Sequence, residues 1–420
     1  MAKFRIIGRK KLSGNIAVSG AKNAALKLIP AAIMADSPSE ISNVPDIIDI
    51  RKMIEIIRSI GAEISFENNI VKIDPRSINS SNPDKHLVKK LRGSVVLIGP
   101  LLAKFGKATF SQPGGCLIGA RAIDDHLDVL KQFGIKYSVK GEDYTFKGKP
   151  KAAHIVLPKM SVTATENAMM AAVLSPGKTI IDLAAAEPEI PDLAKYLNKM
   201  GAKITGAGTH RIEVEGVSKL KGCKHETITD RVVAGTFILI GVANNAEITV
   251  GPVIVDHLSI VFKKLEEIGA KYTIIERGNQ QYVKTLKHGE LKATSIDTRP
   301  YPGFPTDLQS PFGALMTQAN GVTEIFETMF EGRFAYLEQL RILRANVEVE
   351  NPHTFKVSGA TKLKGAVISS KDIRGGAAVI LAATVADGET IIEDAEMIDR
   401  GYEKIDEKLR GIGVDIERID

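Results

Sequence analysis

The stretch IGAEI at residues 60–64 decides the fold of this chain, because related stretches recur from one end to the other. Four have a short apolar helix tail, a glycine and the start of a strand: FGIKY (133–137), MGAKI (200–204), IGAKY (268–272) and IGVDIER from Ile412. A degenerate copy, LRANVEV from Leu343, lacks the glycine. Successive copies lie about 67 to 75 residues apart, so the chain divides into six units. Glycine at this position is typical of a left-handed helix cap, where a Cβ would be strained.

Each unit also contains an apolar helix that precedes a β-branched strand, as in residues 167–174 before GKTIIDL and residues 377–385 before DGETIIED. These helices are apolar on nearly all sides, which indicates burial at the centre of a domain. A chain of 420 residues exceeds what one core usually supports. We therefore predict an α/β protein of two domains with three βα units each, with candidate boundaries near Pro158 and around residues 219–229.

Composition excludes several classes of function. The net charge of +6 is spread along the chain, aromatic residues make up 5% and Trp is absent, which favours small anionic substrates over nucleic acid. No apolar run is long enough for a membrane span, and the first residues lack the pattern of a signal peptide. Two cysteines and dispersed histidines disfavour a disulfide framework or a zinc site, and nucleotide P-loop and dinucleotide motifs are missing. A cytoplasmic protein without metal or cofactor is expected.

Six helix starts carry charged or polar residues: Lys22-Asn23, Arg92, 163–167, Asp230-Arg231, Asp307 and 372–374. The aspartates suit ordinary capping, since a carboxylate at a helix N-terminus satisfies free N–H groups. Lys22, Arg92 and Arg374 do not, because a cation there opposes the helix dipole. From charge alone, solvated helix ends and sites for an anion remain equally good interpretations.

The segment SQPGGCLIGAR at residues 111–121 combines flexible glycines with Cys116 and, five residues later, Arg121. A nearby cation and solvent access lower the pKa of a thiol, which suits it to proton transfer. An incidental loop cysteine is the alternative. A nucleophilic pair with His126 is conceivable, although nothing local indicates a protease. Cys223, in KLKGCKHET, has no comparable setting and is interpreted as structural.

Seven segments together resemble the UDP-N-acetylglucosamine enolpyruvyl transferases: SGAKNAAL (19–26), PGGCLIGARAIDDH (113–126), TDRVVAGTF (229–237), FPTDLQ (304–309), FEGRF (330–334), DIRGG (372–376) and IDRGYEKIDEKLR (398–410). They span nearly the whole chain in family order. The related enzymes that make enolpyruvylshikimate phosphate share the fold but lack the PGGC segment. The resemblance implies a two-domain inside-out α/β barrel, with residues 1–21 and 230–420 in one domain and residues 22–229 in the other, which carries a mobile cysteine loop at 112–122.

The family activity transfers the enolpyruvyl group of phosphoenolpyruvate to the 3′-hydroxyl of UDP-N-acetylglucosamine with release of phosphate. Carried over by motif, the catalytic residues are Cys116 as general acid, Asp307 as base for the hydroxyl proton, and Lys22 and Arg400. Lys22, Arg121 and Arg400 bind phosphoenolpyruvate, and Asn23 with Asp307 contacts the sugar. The nucleotide site comprises Arg92, Arg121, Ala122, Ile123, Asp124, Asp125, Lys159, Met160, Ser161, Val162, Thr163 and Met329, and the residues near the reacting carbons are Glu189, Arg333, Asp372 and Arg374.

The resemblance further implies the first committed step of peptidoglycan precursor synthesis, with consequences for cell shape and division. It implies covalent inhibition by fosfomycin at Cys116 and a protein that works as a monomer, without cofactor, nucleic acid or membrane. An inactive or regulatory paralogue that only binds a UDP-sugar is the alternative. Two positions stand out. Thr163 replaces the glycine of the family's S-V-G-A-T-E-N, where a side chain either crowds the diphosphate or offers a hydroxyl donor, so weaker or altered nucleotide binding is expected rather than loss of activity. Gly376 predicts added flexibility after Arg374.

Overall fold

The computed structural model describes residues 2–114 and 123–419, which form two compact units. Within that range, unit 1 comprises residues 2–19 and 229–419, and unit 2 comprises residues 20–114 and 123–228. Pro158 lies inside unit 2, so the division does not fall there. Each unit has a hydrophobic core of its own, which is the condition for an independent domain.

The described residues form 14 α-helices, two 3₁₀ helices and 23 strands. Up to residue 228 these are β1 (Lys3–Ile7), β2 (Ser13–Ala17), α1 (Lys22–Ala32), β3 (Ser39–Ser42), α2 (Ile48–Ser59), β4 (Glu63–Glu67), β5 (Ile70–Asp74), α3 (Lys85–Val88), a 3₁₀ helix (Arg92–Leu97), α4 (Ile98–Phe105), β6 (Lys107–Ser111), α5 (Asp124–Gln132), β7 (Lys136–Lys140), β8 (Asp143–Lys147), β9 (His154–Val156), α6 (Val162–Ala172), β10 (Lys178–Asp182), α7 (Glu189–Lys199), β11 (Lys203–Thr205), β12 (Arg211–Glu215) and β13 (Lys224–Glu226).

The remainder consists of α8 (Arg231–Ala243), β14 (Glu247–Val253), a 3₁₀ helix (Val255–Leu258), α9 (Ser259–Glu267), β15 (Lys271–Arg277), β16 (Gln280–Leu286), β17 (Ile296–Asp297), α10 (Thr306–Met316), β18 (Gly321–Phe326), α11 (Ala335–Ile342), β19 (Asn346–Asn351), β20 (Thr354–Gly359), β21 (Val367–Ser369), α12 (Ile373–Val385), β22 (Glu389–Glu393), α13 (Glu396–Asp399), α14 (Ile405–Arg410) and β23 (Asp415–Ile419).

The described strands form six small sheets, three in each unit. In unit 1 the orders are β21-β22-β1-β23, β15-β16-β14-β2 and β17-β18-β20-β19; in unit 2 they are β13-β3-β5-β4, β11-β12-β10-β9 and β6-β8-β7. β1 runs antiparallel to β22 and β23, and β2 runs parallel to β14, so the start of the chain is built into unit 1. The predicted mixed α/β fold is confirmed, but among the described strands every sheet is open and none closes into a barrel.

The repeated glycines have the left-handed backbone that the sequence predicts. Their φ angles are +100° at Gly61, +78° at Gly134, +107° at Gly201, +81° at Gly269 and +97° at Gly413. In the degenerate copy Arg344 takes the same conformation, with φ +70°. From the second copy onward, the residue after this position donates its N–H to a carbonyl five residues earlier, as Ile135 does to Leu130 and Ala345 to Leu340. Hydrogen bonding thus maintains the cap even where a Cβ is present.

The apolar helices lie at the centres of the units. Every residue of α12 after Ile373 is buried, and α8, α10 and α12 pack on one another in unit 1. In unit 2, α1 and α6 both pack on the 3₁₀ helix that starts at Arg92. The six predicted helix starts therefore belong to two groups of central helices, one in each unit. In the described part of the chain, no helix has the length and apolarity that crossing a bilayer requires.

Candidate active site

The best-defined polar cluster of unit 1 surrounds Asp307, in the first turn of α10. Arg333 Nη2 donates to one carboxylate oxygen at 2.7 Å, and Arg374 Nη2 donates to the other at 3.0 Å. The side chains of Arg333 and Arg374 are 4% and 5% exposed, whereas that of Asp307 is 26% exposed. The structure thus brings together three predicted site residues and leaves the carboxylate accessible to a ligand. A carboxylate has about four lone-pair positions, so it can still accept a hydrogen bond from a hydroxyl group of a ligand.

Asp372 fixes the position of Arg374. Its Oδ1 accepts hydrogen bonds from the backbone N–H groups of Arg374 and Gly375, both at 2.9 Å, so Asp372 caps α12. The guanidinium carbon of Arg374 lies 5.4 Å from the ring centre of Tyr402. Burial acts to lower the pKa of Arg374, but the combined effects of Asp307, Tyr402 and Asp230 outweigh burial and raise the pKa. Arg374 is therefore a fixed cation beside Asp307.

Gly376, for which the sequence predicts added flexibility, is closely packed in the first turn of α12. A Cβ at this position would lie 2.5 Å from both Ile398 Cγ1 and Ser370 Oγ. At such distances the side chains of Ile398 and Ser370 would have to shift, so glycine suits the close packing around α12. The pair of glycines after Arg374 makes this wall of the site compact.

Glu327, which sequence reasoning missed, organises the other side of the Asp307 cluster. This fully buried carboxylate accepts from Thr306 Oγ1 at 2.7 Å and from the N–H of Met329 at 2.8 Å. Thr306 Oγ1 in turn accepts from Arg333 Nη1 at 2.7 Å. Glu327 thereby positions both Met329 and Arg333. A carboxylate directly after the end of a strand, Glu327 in TEIFE, was the available signal.

Lys22, the first residue of α1, has an acidic partner that the sequence did not reveal. Its Nζ lies 3.1 Å from Oδ2 of Asp49 in the first turn of α2, and both side chains are buried. The carboxylate of Asp49 compensates the charge of Lys22, which opposes the helix dipole. A cation at this helix start is therefore weaker evidence for a bound anion than the sequence suggested. Asn23 follows on α1 and is half-buried, and Glu189 is buried as the first residue of α7.

The predicted nucleotide residues of unit 2 come from two segments that lie side by side. Residues 123–125 open α5, and residues 159–163 lead into α6. Lys159 Nζ lies 3.1 Å from Oδ2 of Asp125, and His126 Nε2 lies 3.1 Å from Thr163 Oγ1. Arg92 opens the 3₁₀ helix, and its charge is close enough to contribute to a lowered pKa of His126. The fold thus brings together two pairs of side chains that lie 34 and 37 positions apart in the sequence.

The other predicted residues are placed as follows. Arg400 is half-buried and directly follows α13, whose last residue Asp399 pairs with Arg418. Cys116, Arg121 and Ala122 lie outside the described residues, as does most of the predicted loop 112–122. Cys223 is a half-buried free thiol whose pKa is raised by burial. Within residues 2–114 and 123–419, His, Cys, Asp and Glu form no group of three that could hold a metal ion.

Comparison with known proteins confirms the resemblance that the motifs carry. A family model described as EPSP synthase (3-phosphoshikimate 1-carboxyvinyltransferase) matches residues 6–409. The UDP-N-acetylglucosamine 1-carboxyvinyltransferase of Halothermothrix orenii is 44% identical over 420 residues, with 100% of each chain covered. The enzyme of the same name from Idiomarina loihiensis is 42% identical over 422 residues, again with 100% of each chain covered.

Solved structures show the same fold. The enolpyruvyl transferase NikO from Streptomyces tendae has a TM-score of 0.89 at 24% identity and covers 99% of this chain and 98% of its own. EPSP synthase from Acinetobacter baumannii has a TM-score of 0.74 at 18% identity, with both chains covered completely. At these identities the likeness establishes the fold alone. With a family model that matches almost its full length and relatives above 40% identity, the chain belongs to the EPSP synthase family of enolpyruvyl transferases.

Proposed function

We propose that this protein transfers the enolpyruvyl group of phosphoenolpyruvate to the 3′-hydroxyl of UDP-N-acetylglucosamine and releases phosphate. The observation that carries the proposal is the full-length match, at 42–44% identity, to proteins named UDP-N-acetylglucosamine 1-carboxyvinyltransferase. The cluster of Asp307, Arg333 and Arg374 supports it, because a carboxylate base held between two fixed guanidinium groups suits a reaction of anionic substrates.

The proposed reaction is an addition followed by an elimination. Cys116 gives its proton to the methylene carbon of phosphoenolpyruvate, and the neighbouring carbon becomes electrophilic. The sugar hydroxyl forms a bond to that carbon while Asp307 takes the hydroxyl proton. The carbon–oxygen bond to phosphate then breaks and the methyl carbon returns a proton to the Cys116 thiolate, which restores both the double bond and the thiol. Lys22, Arg121 and Arg400 supply the positive charge that the phosphate and carboxylate of phosphoenolpyruvate need.

Substrate binding divides among the remaining predicted residues. We assign Asn23 and Asp307 to the sugar, and Arg92, Met329 and the segments 121–125 and 159–163 to the nucleotide. The two links between α5 and the segment 159–163 support this assignment, because they fix two predicted binding segments against each other. We assign Glu189, Arg333, Asp372 and Arg374 to the surroundings of the reacting carbons.

Phosphate release on mixing both substrates tests the activity directly. It also separates the enzyme from the alternative, an inactive or regulatory paralogue, which would bind the UDP-sugar without releasing phosphate. Cys116→Ala should lower turnover by about 10²–10⁴-fold, the usual contribution of a general acid. Cys223→Ala is the matched control and should retain turnover. Turnover of Cys116→Ala close to that of the unaltered protein would refute the role of the thiol.

Fosfomycin labelling tests the same thiol by a second route. An accessible thiol of lowered pKa opens an epoxide, so incubation with fosfomycin and UDP-N-acetylglucosamine should add the drug to the Cys116 peptide. The Cys223 peptide serves as the internal control, since burial raises the pKa of that thiol. An unmodified Cys116 peptide would count against the assignment.

We also propose the finer architecture and the cellular role. The two domains are residues 1–21 with 230–420 and residues 22–229, each an assembly of three βα units of the inside-out barrel type; six small sheets, three per unit, support this. The protein acts as a cytoplasmic monomer in peptidoglycan precursor synthesis, and thus in cell shape and division, without nucleic acid, membrane or cofactor. Light scattering, cell fractionation and depletion of the protein in its host test these points.

A further inference from the structure

His126 is a buried imidazole that the proposed reaction does not use. It lies on α5 and is 4% exposed. Its Nε2 is 3.1 Å from Thr163 Oγ1, and its Nδ1 is 2.9 Å from Asn167 Nδ2. Both partners belong to α6, so the ring links α5 to the first two turns of α6.

The neighbours of Asn167 determine which ring nitrogen carries the proton. Asn167 Oδ1 accepts from the N–H of Gly99 at 2.8 Å, and Nδ2 donates to the carbonyl of Val95 at 2.9 Å. These two bonds fix the orientation of the amide, so Nδ2 is also the donor toward the ring. His126 Nδ1 must therefore accept. Burial, with a smaller contribution from Arg92, lowers the pKa of His126 to about 3, so the ring is neutral and its single proton lies on Nε2.

This assignment orients the hydroxyl group of Thr163. Because Nε2–H of His126 donates to Thr163 Oγ1, the hydroxyl hydrogen is directed elsewhere. Among the described residues this hydroxyl makes no second hydrogen bond, and Thr163 is half-buried in the first turn of α6. A hydroxyl that accepts from an imidazole is also a somewhat stronger donor. The chain Asn167, His126, Thr163 thus ends in a donor that has no acceptor in the described protein.

The charge around this donor favours an anion. The charge of Arg92 lies close enough to His126 to help lower its pKa, and Lys159 begins the segment that leads into α6. Asp125 pairs with Lys159 and offsets part of that charge. The family pattern has glycine where this chain has Thr163, so the hydroxyl is an addition of this chain.

We propose that Thr163 donates a hydrogen bond to a diphosphate oxygen of the nucleotide-sugar, and that His126 and Asn167 are positioning residues that direct its hydroxyl. The proposal rests on the proposed function, since it concerns the nucleotide site of the same reaction. It makes Thr163 a determinant of nucleotide affinity rather than an obstacle to the diphosphate.

Calorimetric titration with UDP and with uridine tests the contact. Thr163→Val removes the hydroxyl and keeps the shape, so UDP binding should weaken by about 10- to 100-fold, the range for a hydrogen bond to a charged group, with uridine binding unchanged. Thr163→Ser should retain affinity for UDP. Thr179→Val removes a buried hydroxyl elsewhere in unit 2 and should change neither titration. Unchanged UDP binding by Thr163→Val, or tighter binding by Thr163→Gly, would overturn the proposal.

The positioning role requires a double-mutant comparison. His126→Leu should weaken UDP binding in the unaltered protein but add nothing to Thr163→Val, and His126→Gln, which keeps an N–H donor, should restore part of the affinity. Equal losses in both backgrounds would refute the coupling. If His126→Leu fails to fold, the Thr163 variants alone decide on the contact. Phosphate release by the unaltered protein is measured separately, so failure of the proposed function is distinguishable from failure of this inference.

Discussion

At the scale of single residues, Asp307 combines a chemical role with a structural one. Its two oxygens accept hydrogen bonds from Arg333 and Arg374, whose side chains are almost fully buried. Loss of the negative charge removes the carboxylate that the two buried guanidinium groups share, and these groups retain their charge because arginine does not deprotonate in proteins. Stability and turnover should therefore change together when this carboxylate is altered.

Asp307→Asn should lower turnover by about 10²–10⁴-fold, because an amide cannot take the hydroxyl proton. It should also cost about 1–3 kcal/mol of stability, less than a fully buried pair would lose, since the carboxylate is partly exposed. Steady-state phosphate release and urea unfolding measure the two effects. Asp297→Asn, in a surface pair with Arg299, is the control and should leave both unchanged. Unimpaired turnover of Asp307→Asn would exclude Asp307 as the base.

His126 should make the protein sensitive to acid. Burial lowers its pKa in the folded state to about 3, whereas the unfolded value is about 6.5. The contribution of the neutral ring to stability is therefore complete above pH 6.5 and is lost as pH falls toward 3, at about 1.4 kcal/mol per pH unit. The free energy of unfolding is measured from pH 7 to 4 for the unaltered protein and for His126→Gln. As pH falls, that of the unaltered protein should decrease more steeply, by this amount per pH unit. His86→Gln, at an exposed position, should show no such difference.

At the scale of elements, sequence predicted local features well and tertiary partners poorly. The helix starts at Asp230 and Asp372 and the left-handed glycines follow from capping chemistry, which depends on a few consecutive residues. The degenerate copy at Arg344 shows that the helix end persists without glycine. Asp49 and Glu327 could not be foreseen as partners of Lys22 and Thr306, because those contacts join residues 27 and 21 positions apart through packing between elements.

The contact between α1 and α6 contains a buried lysine–glutamate pair with an unusual pH dependence. Lys27 Nζ lies 3.4 Å from Oε1 of Glu166, which is fully buried. Burial raises the pKa of Glu166 to about 8, although Lys27 acts to lower it. The folded state therefore favours the protonated acid. The contribution of Glu166 to the free energy of unfolding is fully present below its unfolded pKa of about 4.5, and it is lost as pH rises toward 8.

Glu166→Gln should abolish this dependence, because the amide resembles the protonated acid and does not titrate. Between pH 5 and 8 the unaltered protein should lose stability relative to the variant, by about 1.4 kcal/mol per pH unit. Urea unfolding at pH 5, 6.5 and 8 measures the difference. Glu67→Gln, at an exposed position on β4 of the same unit, is the control. A difference between the two proteins that stays constant with pH would show that Glu166 is ionised throughout this range.

At the scale of the whole molecule, the repeat in the sequence predicted the mixed α/β fold because each copy contributes one buried helix and its strands. The repeat did not indicate to which domain the first two strands, β1 and β2, belong. Residues 2–19 belong with residues 229–419 because β1 and β2 pair with strands more than 200 positions away, and pairing at that distance leaves no local signature. The family resemblance supplied this connection where periodicity could not.

The two separate cores predict that damage to one unit leaves the other intact. Leu28 on α1 and Leu381 on α12 are both completely buried, in unit 2 and unit 1 respectively. Leu28→Ala and Leu381→Ala should each cost about 2–5 kcal/mol in their own core. Hydrogen exchange should then accelerate in the strands of the altered unit and stay unchanged in those of the other, so each variant is the control for its counterpart. Equal acceleration of exchange in both units by either variant would show that the chain unfolds as one cooperative whole. The two cores would then be packed separately but would not unfold independently.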